Sequence, residues 1–138
     1  MKLFLMLILF TQSCNMGKQV DEKIILSIDF QDFFDKDKVG CSINGCSIFK
    51  DVELTSDQID GLTDVNINVS KKGHELIIHY DNKIINCSEE KILELVIDVN
   101  GQESKYELIL DKGKYIGFDK LEGNKLKLHQ SELPFEYD

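Results

Sequence analysis

Cysteines are the residues of this chain whose type and spacing point most directly to chemistry. Two of the four, Cys41 and Cys46, lie in the repeated segment GCSI-NGCSI, while Cys14 and Cys87 lie far from it. A redox pair needs C-x-x-C spacing at the start of a helix, and a zinc site needs further cysteine or histidine ligands nearby. The repeat has neither, so we expect a structural disulfide and no metal or redox chemistry.

The N-terminus resembles the signal of bacterial lipoproteins. Lys2 is followed by a run of apolar residues, 3–10, and then by the segment TQS-C that ends in Cys14. An apolar run of this length is too short to span a bilayer and is typical of a secretory signal. The resemblance implies a signal peptide of residues 1–13, lipid on Cys14 and a polar tether of residues 14–22. It implies an outer-membrane anchor in a bacterial cell envelope, on the periplasmic or surface face. Cleavage by ordinary signal peptidase, which would give a secreted protein, is the alternative.

The Asn44-Gly45 pair at the centre of the repeat predicts the tight turn of a β-hairpin. Pairing outward from this turn places Ile43 opposite Cys46 and Cys41 opposite Ile48. The two cysteines are then diagonal neighbours on one side of the hairpin, which is an awkward geometry for a disulfide unless the turn is loose.

The number of available thiols limits the disulfide pattern. With Cys14 lipidated, Cys41, Cys46 and Cys87 remain in an oxidising compartment, where three thiols form at most one bridge. We expect a Cys41–Cys46 bridge slightly ahead of a bridge from either residue to Cys87, and one cysteine is left free.

The histidines and acidic residues form no recognisable catalytic or metal-binding set. His74 and His79 point to opposite faces of a candidate strand, and His129 stands alone. The segment DKDKVG, residues 35–40, begins like a calcium loop but carries valine where an oxygen ligand is needed. Because no nucleophile-base order or phosphate-binding loop accompanies them, we expect a protein that is not an enzyme and holds no cofactor.

The charge of the chain excludes several classes of partner. It carries 25 acidic and 16 basic residues, for a formal net charge of -9, and all the basic residues are lysine. Such a surface repels phosphate and cannot make the bidentate guanidinium contacts that read bases, so we expect no nucleic-acid binding. Attraction to anionic lipid headgroups is unfavourable for the same reason. A cationic protein remains compatible with this charge.

Segments in which every second residue is apolar recur from Ile24 to Leu128 and are typical of half-buried β-strands. The Asn100-Gly101 pair predicts a second hairpin. Only residues 31–38 and 55–60 offer short helical segments. About 8 to 10 short strands with little helix predict a sandwich or a barrel. We expect a single domain over residues 23–138.

The segment LILDKGKY, residues 108–115, resembles the tyrosine corner of Greek-key sandwiches, in which the Tyr hydroxyl bonds to upstream backbone. It is also similar to the L-x-L-x-x-G-x-Y pattern of transthyretin-like and carboxypeptidase-regulatory-like domains. The resemblance covers the last third of the chain. It implies an all-β, antiparallel two-sheet Greek-key sandwich, immunoglobulin-like or transthyretin-like, with Asp111, Gly113 and Tyr115 at the corner. The alternative is a simple hairpin in which Tyr115 is an ordinary strand residue.

The C-terminus alternates aromatic and acidic residues after Pro134, and proline confines such a segment to a sheet edge. Phe135 and Tyr137 either complete the packing of that edge or contact a partner.

Taken together, these features predict a small non-enzymatic envelope lipoprotein that acts as a protein-binding module. One alternative is an immunity or inhibitor protein that neutralises a basic toxin or hydrolase. The other is an accessory subunit of an outer-membrane or polysaccharide-uptake assembly.

Overall fold

A computed structural model describes residues 22–137, which form ten β-strands and two short 3₁₀ turns. The strands are β1 (Lys23–Phe30), β2 (Asp37–Ile43), β3 (Cys46–Leu54), β4 (Asn66–Lys72), β5 (Glu75–Tyr80), β6 (Lys83–Ser88), β7 (Leu93–Val99), β8 (Gln102–Leu108), β9 (Tyr115–Lys120) and β10 (Leu126–Ser131). The 3₁₀ turns span Leu110–Lys112 and Glu122–Asn124. No helix within residues 22–137 has the length and apolar character needed to cross a membrane.

The strands form two sheets that pack against each other, which confirms the predicted β-sandwich. One sheet has the order β10-β9-β1-β4-β5-β6 and the other has the order β3-β2-β7-β8. All pairings are antiparallel except that of β1 with β9. Strands joined by tight turns must be antiparallel, whereas β1 and β9 are connected through both sheets and are free to run parallel.

The core between the sheets is built from the alternating apolar residues of the strands. Phe30, the last residue of β1, is fully buried in this core. Its ring centroid is 5.8 Å from that of Phe118 in the same sheet and 5.9 Å from that of Phe49 in the opposite sheet. Phe30 therefore contacts both layers, and each such buried ring contributes on the order of 2 to 3 kcal/mol.

The two predicted hairpins differ in how closely they follow the expected register. Around Asn100-Gly101, Val99 pairs with Gln102 and Leu93 with Leu108, as the alternation predicts. Around the other turn, Ile43 pairs with Cys46 as expected.

Further from the Asn44-Gly45 turn, the predicted pairing of Cys41 with Ile48 is wrong, because Cys41 pairs with Phe49. A bulge shifts the register by one residue and allows both Ile48 and Phe49 to be buried in the core.

The expected Cys41–Cys46 disulfide is also wrong, and the bridge joins Cys46 to Cys87. Cys46 begins β3 and Cys87 lies near the end of β6, so the bond links edge strands of the two different sheets. Cys41 is free and 3% exposed in the core, where burial raises the pKa of its thiol to about 12. The disulfide therefore holds the sheets together along one side, while Cys41 serves as an apolar core residue.

The strand directions define two ends of the sandwich. β1 starts at the end that we call proximal, and its last residue lies at the opposite end, which we call distal. The distal connections are residues 31–36, 55–65, 81–82, 100–101 and 121–125, and the proximal ones are residues 44–45, 73–74, 89–92 and 109–114.

Candidate partner-binding site

Two distal connections, residues 31–36 and 55–61, enclose a depression of 520 Å³. Its lining consists of Asp32, Phe33, Phe34, Asp35, Thr55, Ser56, Asp57, Gln58, Ile59, Asp60 and Gly61. We call this group the distal loop cluster. It lies where β1 leads into β2 and where β3 leads into β4, so each loop crosses from one sheet to the other.

Two large apolar side chains of the distal loop cluster point into solvent. Ile59 is 90% exposed and Phe33 is 72% exposed, and with Leu133 they are the most exposed large hydrophobic residues between positions 22 and 137. Phe34, the next residue after Phe33, is only 2% exposed and packs edge-on against Phe30. One phenylalanine of the pair anchors the loop in the core, and the other is left on the surface.

The backbone of the first loop holds Phe33 outward in an uncommon conformation. Its φ angle is 71°, a left-handed value that bulky residues rarely adopt. On the next residue, the Phe34 amide donates to Ser56 Oγ at 3.0 Å, and the Ser56 amide donates to the Phe34 carbonyl at 2.8 Å. Because two hydrogen bonds to the second loop fix the adjacent residue, the exposed position of Phe33 is imposed by tertiary structure.

The second loop is organised by two of its own carboxylates. Asp57 Oδ1 accepts from the amides of Ile59 and Asp60, at 2.7 Å and 3.3 Å, and Asp60 Oδ1 accepts from the amide of Leu62 at 2.9 Å. These local bonds are the typical Asx pattern of tight turns. They place Ile59 at the tip of the loop with both neighbouring turns fixed.

The two loops touch at Gly61. Its φ angle is 69°, and a Cβ atom placed on it would lie 1.9 Å from Asp32 Oδ1. A side chain at this position would require the Asp32 carboxylate to move and a strained backbone, so glycine favours this approach of the second loop to the first.

The charge of the depression is uniformly negative. Asp32, Asp35, Asp57 and Asp60 contribute four carboxylates, and no lysine or histidine is part of the lining. The distal loop cluster therefore combines exposed apolar groups with a one-sign electrostatic field.

A buried carboxylate supports the loops from below. Asp37 is 4% exposed, and its Oδ1 accepts from Asn100 Nδ2 at 2.8 Å and pairs with Lys120 Nζ at 3.2 Å. Its Oδ2 accepts from the amide of Asp35 at 2.9 Å. Burial acts to raise the pKa of Asp37, but the hydrogen bonds from Asp35, Asn100 and Lys120 outweigh burial and the pKa is lowered.

These contacts give the Asp37 carboxylate a structural role in the segment DKDKVG, residues 35–40, which begins like a calcium loop. The Asp37 carboxylate is occupied by an amide, a side-chain amide and an ammonium group that tie β2 to β7–β8 and to β9. Within residues 22–137, no group of three or more His, Cys, Asp or Glu side chains is placed to hold a metal ion.

The histidines each lie against a carboxylate of a different part of the chain. His79 Nε2 is 2.8 Å from Glu22 Oε1, and His129 Nε2 is 2.6 Å from Asp119 Oδ2. His74, in the turn between β4 and β5, is fully exposed, and its Nδ1 is 3.6 Å from Glu89 Oε2. These contacts are pairwise, and the structure does not bring the three histidines together.

The residues of the predicted tyrosine corner lie at the proximal end. Gly113 has a φ angle of 127°, and a Cβ atom there would lie 2.2 Å from the Ser131 carbonyl group. Gln130 Nε2 bridges this turn, since it donates to the carbonyls of Ile109 and Gly113 at 2.8 Å each.

Asp111 lies in the first 3₁₀ turn, and Tyr115 begins β9 with the Lys114 ammonium 5.4 Å from its ring centroid. The hydrogen bonds that bridge this turn come from the Gln130 side chain. The corner hydrogen bond of the Tyr115 hydroxyl stays a prediction.

The C-terminal aromatics are partly engaged within the molecule. Phe135 is half-buried, and Tyr137 is 39% exposed with its hydroxyl accepting from Gln31 Nε2 at 2.7 Å. Their contact with a partner stays a prediction, as does lipidation of Cys14, which lies outside the described residues.

Sequence reasoning did not identify the distal loop cluster. The signal was the adjacent pair Phe33-Phe34 inside the polar segment 31–38, because two consecutive aromatics in a turn cannot both face the same core. Ile59 carried a similar signal, as the single large apolar residue in the acidic segment 57–61.

Comparison of the chain with protein-family models, with curated protein sequences and with solved structures finds no match. The class of this protein is therefore defined by its architecture and its candidate site. It is a two-sheet β-sandwich with an acidic loop cluster that exposes two large apolar side chains at one end.

Proposed function

We propose that this chain is a non-enzymatic, lipid-anchored protein-binding module of a bacterial cell envelope. Its distal loop cluster contacts a cationic protein. The observation that carries the proposal is the exposure of Phe33 and Ile59 on loops that hydrogen bonds and a buried carboxylate hold in place.

The composition of the cluster fits a protein interface. Binding energy in such interfaces concentrates in a few large apolar or aromatic side chains, and a polar rim around them excludes water. Phe33 and Ile59 supply the apolar anchors, and the four surrounding carboxylates supply the rim. A basic partner would be attracted to this rim during approach, whereas an acidic one would be repelled.

The placement of the cluster fits an anchor at the N-terminus. β1 begins at the proximal end and runs the length of the six-stranded sheet, about 26 Å at the usual rise per residue. A lipid on Cys14 would hold the proximal side towards the membrane. The distal loop cluster would then face away from the bilayer, towards proteins of the periplasm or the surroundings.

The negative depression favours one specific version of this function, an immunity or inhibitor protein for a basic toxin or hydrolase. Such a partner would bind tightly, and its association rate would fall as salt is raised. An accessory subunit of an outer-membrane or polysaccharide-uptake assembly would instead co-purify with membrane partners in fixed stoichiometry at any salt concentration.

The test is a pull-down of the acylated full-length protein from its own cells in mild detergent, followed by mass spectrometry. We expect a protein with an excess of Lys and Arg on its surface. We expect the Phe33→Ala/Ile59→Ala double variant to bind it on the order of 100-fold more weakly, as for removal of two interface anchors. The mass of the N-terminal peptide reports whether Cys14 carries acyl chains.

The matched control is Ile92→Ala, which truncates an aliphatic residue, 53% exposed, before β7 at the proximal end. It should leave affinity unchanged within about twofold. Retention of the partner by the loop double variant, or loss of binding in Ile92→Ala, would contradict the proposed surface.

A further inference from the structure

The last described residues form a strap over the six-stranded sheet. β10 ends at Ser131, which pairs with Tyr115 at the proximal end. Six residues later, the Tyr137 hydroxyl contacts Gln31 and Asp29 at the distal end of β1. We call residues 132–137 the C-terminal strap, since they return along the length of the sheet.

The strap is attached on the outer face of this sheet. Ile116 and Phe118 of β9 are fully buried in the core, so Gly117 between them faces outward. A Cβ atom on Gly117 would lie 2.4 Å to 2.6 Å from the amide group of Gln31. The Gln31 side chain therefore occupies the space that Gly117 leaves open, and Gln31 is only 8% exposed.

Gln31 connects the strap to the distal loop cluster through bonds at both ends of the residue. Its Nε2 donates to the Tyr137 hydroxyl at 2.7 Å, while its own backbone carbonyl accepts from Ser56 Oγ. The same Ser56 oxygen accepts from the amide of Phe34 at 3.0 Å. A continuous chain of hydrogen bonds thus runs from the strap to the residue next to Phe33.

The Tyr137 hydroxyl must stay protonated for this geometry. It accepts from Gln31 and donates to Asp29 Oδ2 at 3.3 Å, which only a neutral phenol can do at once. Burial raises the pKa of Tyr137, and the Asp29 charge acts in the same direction against the opposing bond from Gln31. The neutral form therefore prevails at physiological pH.

We infer that the C-terminal strap is a positioning element of the distal loop cluster, and that Tyr137 and Gln31 are its positioning residues. This inference rests on the proposed function. By fixing Gln31, the strap holds the first loop in the form in which Phe33 is exposed. Fixing a loop before binding removes part of the entropy cost of association.

The first experiment is Tyr137→Phe in the full-length protein, measured by amide hydrogen exchange without any partner. Removal of the hydroxyl should speed exchange of the amides of residues 31–36 and 55–57 about fivefold, as for loss of one hydrogen bond. Amides at the proximal turns, residues 44–45 and 73–74, should exchange at the wild-type rate. Leu133→Ala, an exposed change within the strap, is the matched control and should leave both regions unchanged.

The second experiment keeps Tyr137 and displaces Gln31 instead. Gly117→Ala places a methyl group against the Gln31 amide, whose flexible end can move away. It should speed exchange in the same loop residues as Tyr137→Phe does. Gly40→Ala is the matched control, because a Cβ there meets no atom closer than 3.6 Å.

Three outcomes distinguish failure of this inference from failure of the proposed function. Unchanged loop exchange in both Tyr137→Phe and Gly117→Ala overturns the positioning role, and the effect of the Phe33→Ala/Ile59→Ala variant on binding is independent of that result. Uniformly faster exchange at both ends of the sandwich would also overturn it, since it would reveal a general loss of stability. Faster loop exchange in these variants, combined with partner binding that the Phe33→Ala/Ile59→Ala variant does not weaken, would support the positioning role of the strap and reject the proposed surface.

Discussion

At the proximal end of the sandwich, two connections are the two-residue turns 44–45 and 73–74 and the other two span residues 89–92 and 109–114, whereas the two longest distal connections that cross between the sheets span residues 31–36 and 55–65. The two short proximal turns use Asn-Gly and Gly-His and expose no large apolar side chain, whereas the longer proximal connections expose Ile92, Ile109 and Leu110 at 36% to 54%. The distal loops 31–36 and 55–65 expose Phe33 and Ile59 at 72% and 90%, and they are fixed by hydrogen bonds between segments that are distant in sequence. Binding residues are disproportionately found on loops that a rigid scaffold holds in position.

The two ends also differ in what holds the sheets together. At the proximal end the Cys46–Cys87 bond links the edge strands covalently. At the distal end the sheets are joined by the buried contact of Asp37 with Lys120 and by the aromatic contacts of Phe30. The difference predicts that reduction and acid act on opposite ends of the molecule.

Removal of the disulfide should have the largest effect on stability. The bond spans 41 residues of sequence, which in the loop-entropy model corresponds to about 4 kcal/mol. We expect Cys46→Ser/Cys87→Ser to lower the free energy of unfolding by about this amount in urea titrations, and wild-type protein in reductant to behave similarly. Cys41→Ala, the control, keeps the bridge, so it should lose only about 1 kcal/mol and remain as sensitive to reductant as wild type. Equal sensitivity of wild type and double variant to reductant would contradict the assigned bridge.

Loss of the Asp37 charge should have the next largest effect on the free energy of unfolding. Asp37→Asn removes a buried partner of Lys120, which we expect to cost about 2 to 3 kcal/mol and to loosen the distal loops rather than the proximal turns. The folded-state pKa is lowered, so its contribution is fully present above the unfolded value near 4 and is lost as pH falls through the folded pKa.

The pH dependence gives the matched comparison for Asp37. Urea titrations of wild type and Asp37→Asn at a series of pH values should show stabilities that converge as pH falls below about 4. Glu53→Gln, at an exposed pair with Lys38, is the control and should change stability by less than about 0.5 kcal/mol. A constant gap between wild type and Asp37→Asn down to the lowest pH would contradict the ionised state of Asp37.

Two glycines provide the smallest and most direct contrast between the ends. Gly61 and Gly73 have φ angles of 69° and 62°, so alanine strains the backbone by about 1 kcal/mol at either position. A Cβ on Gly73 meets nothing within 4 Å, whereas one on Gly61 would overlap Asp32. We expect Gly61→Ala to cost at least about 1 kcal/mol more and to weaken partner binding. Equal costs in thermal unfolding would show that the contact between the two distal loops contributes nothing.

Much of the fold follows from local patterns in the sequence. The alternation of Leu93 to Val99 and the Asn100-Gly101 turn specify the β7–β8 register, because each residue pairs with one a few positions away. The strands β1 and β4 are predicted in the same way, since their side chains alternate between the core and solvent along most of each strand. The two-sheet sandwich follows from the number of such strands and the scarcity of helix.

The candidate site could not be predicted at the same level. Which of Phe33 and Phe34 faces the core depends on Ser56, which belongs to the other loop. The role of Gln31 depends on Gly117 and Tyr137, which lie in β9 and in the C-terminal strap. No local pattern reports such contacts, and the resemblance at residues 108–115 concerned the opposite end of the sandwich.

The sequence by itself determined the strands, their inward faces and the tight hairpins, because these depend on alternation and turn chemistry between near neighbours. Only the tertiary structure decided that Cys46 bonds to Cys87, that Cys41 faces Phe49 across a bulge and that β1 runs parallel to β9. These outcomes depend on the order of the strands and the closure of one sheet over the other. Such choices are made by the packing of distant segments, in which no single stretch of chain contains the information.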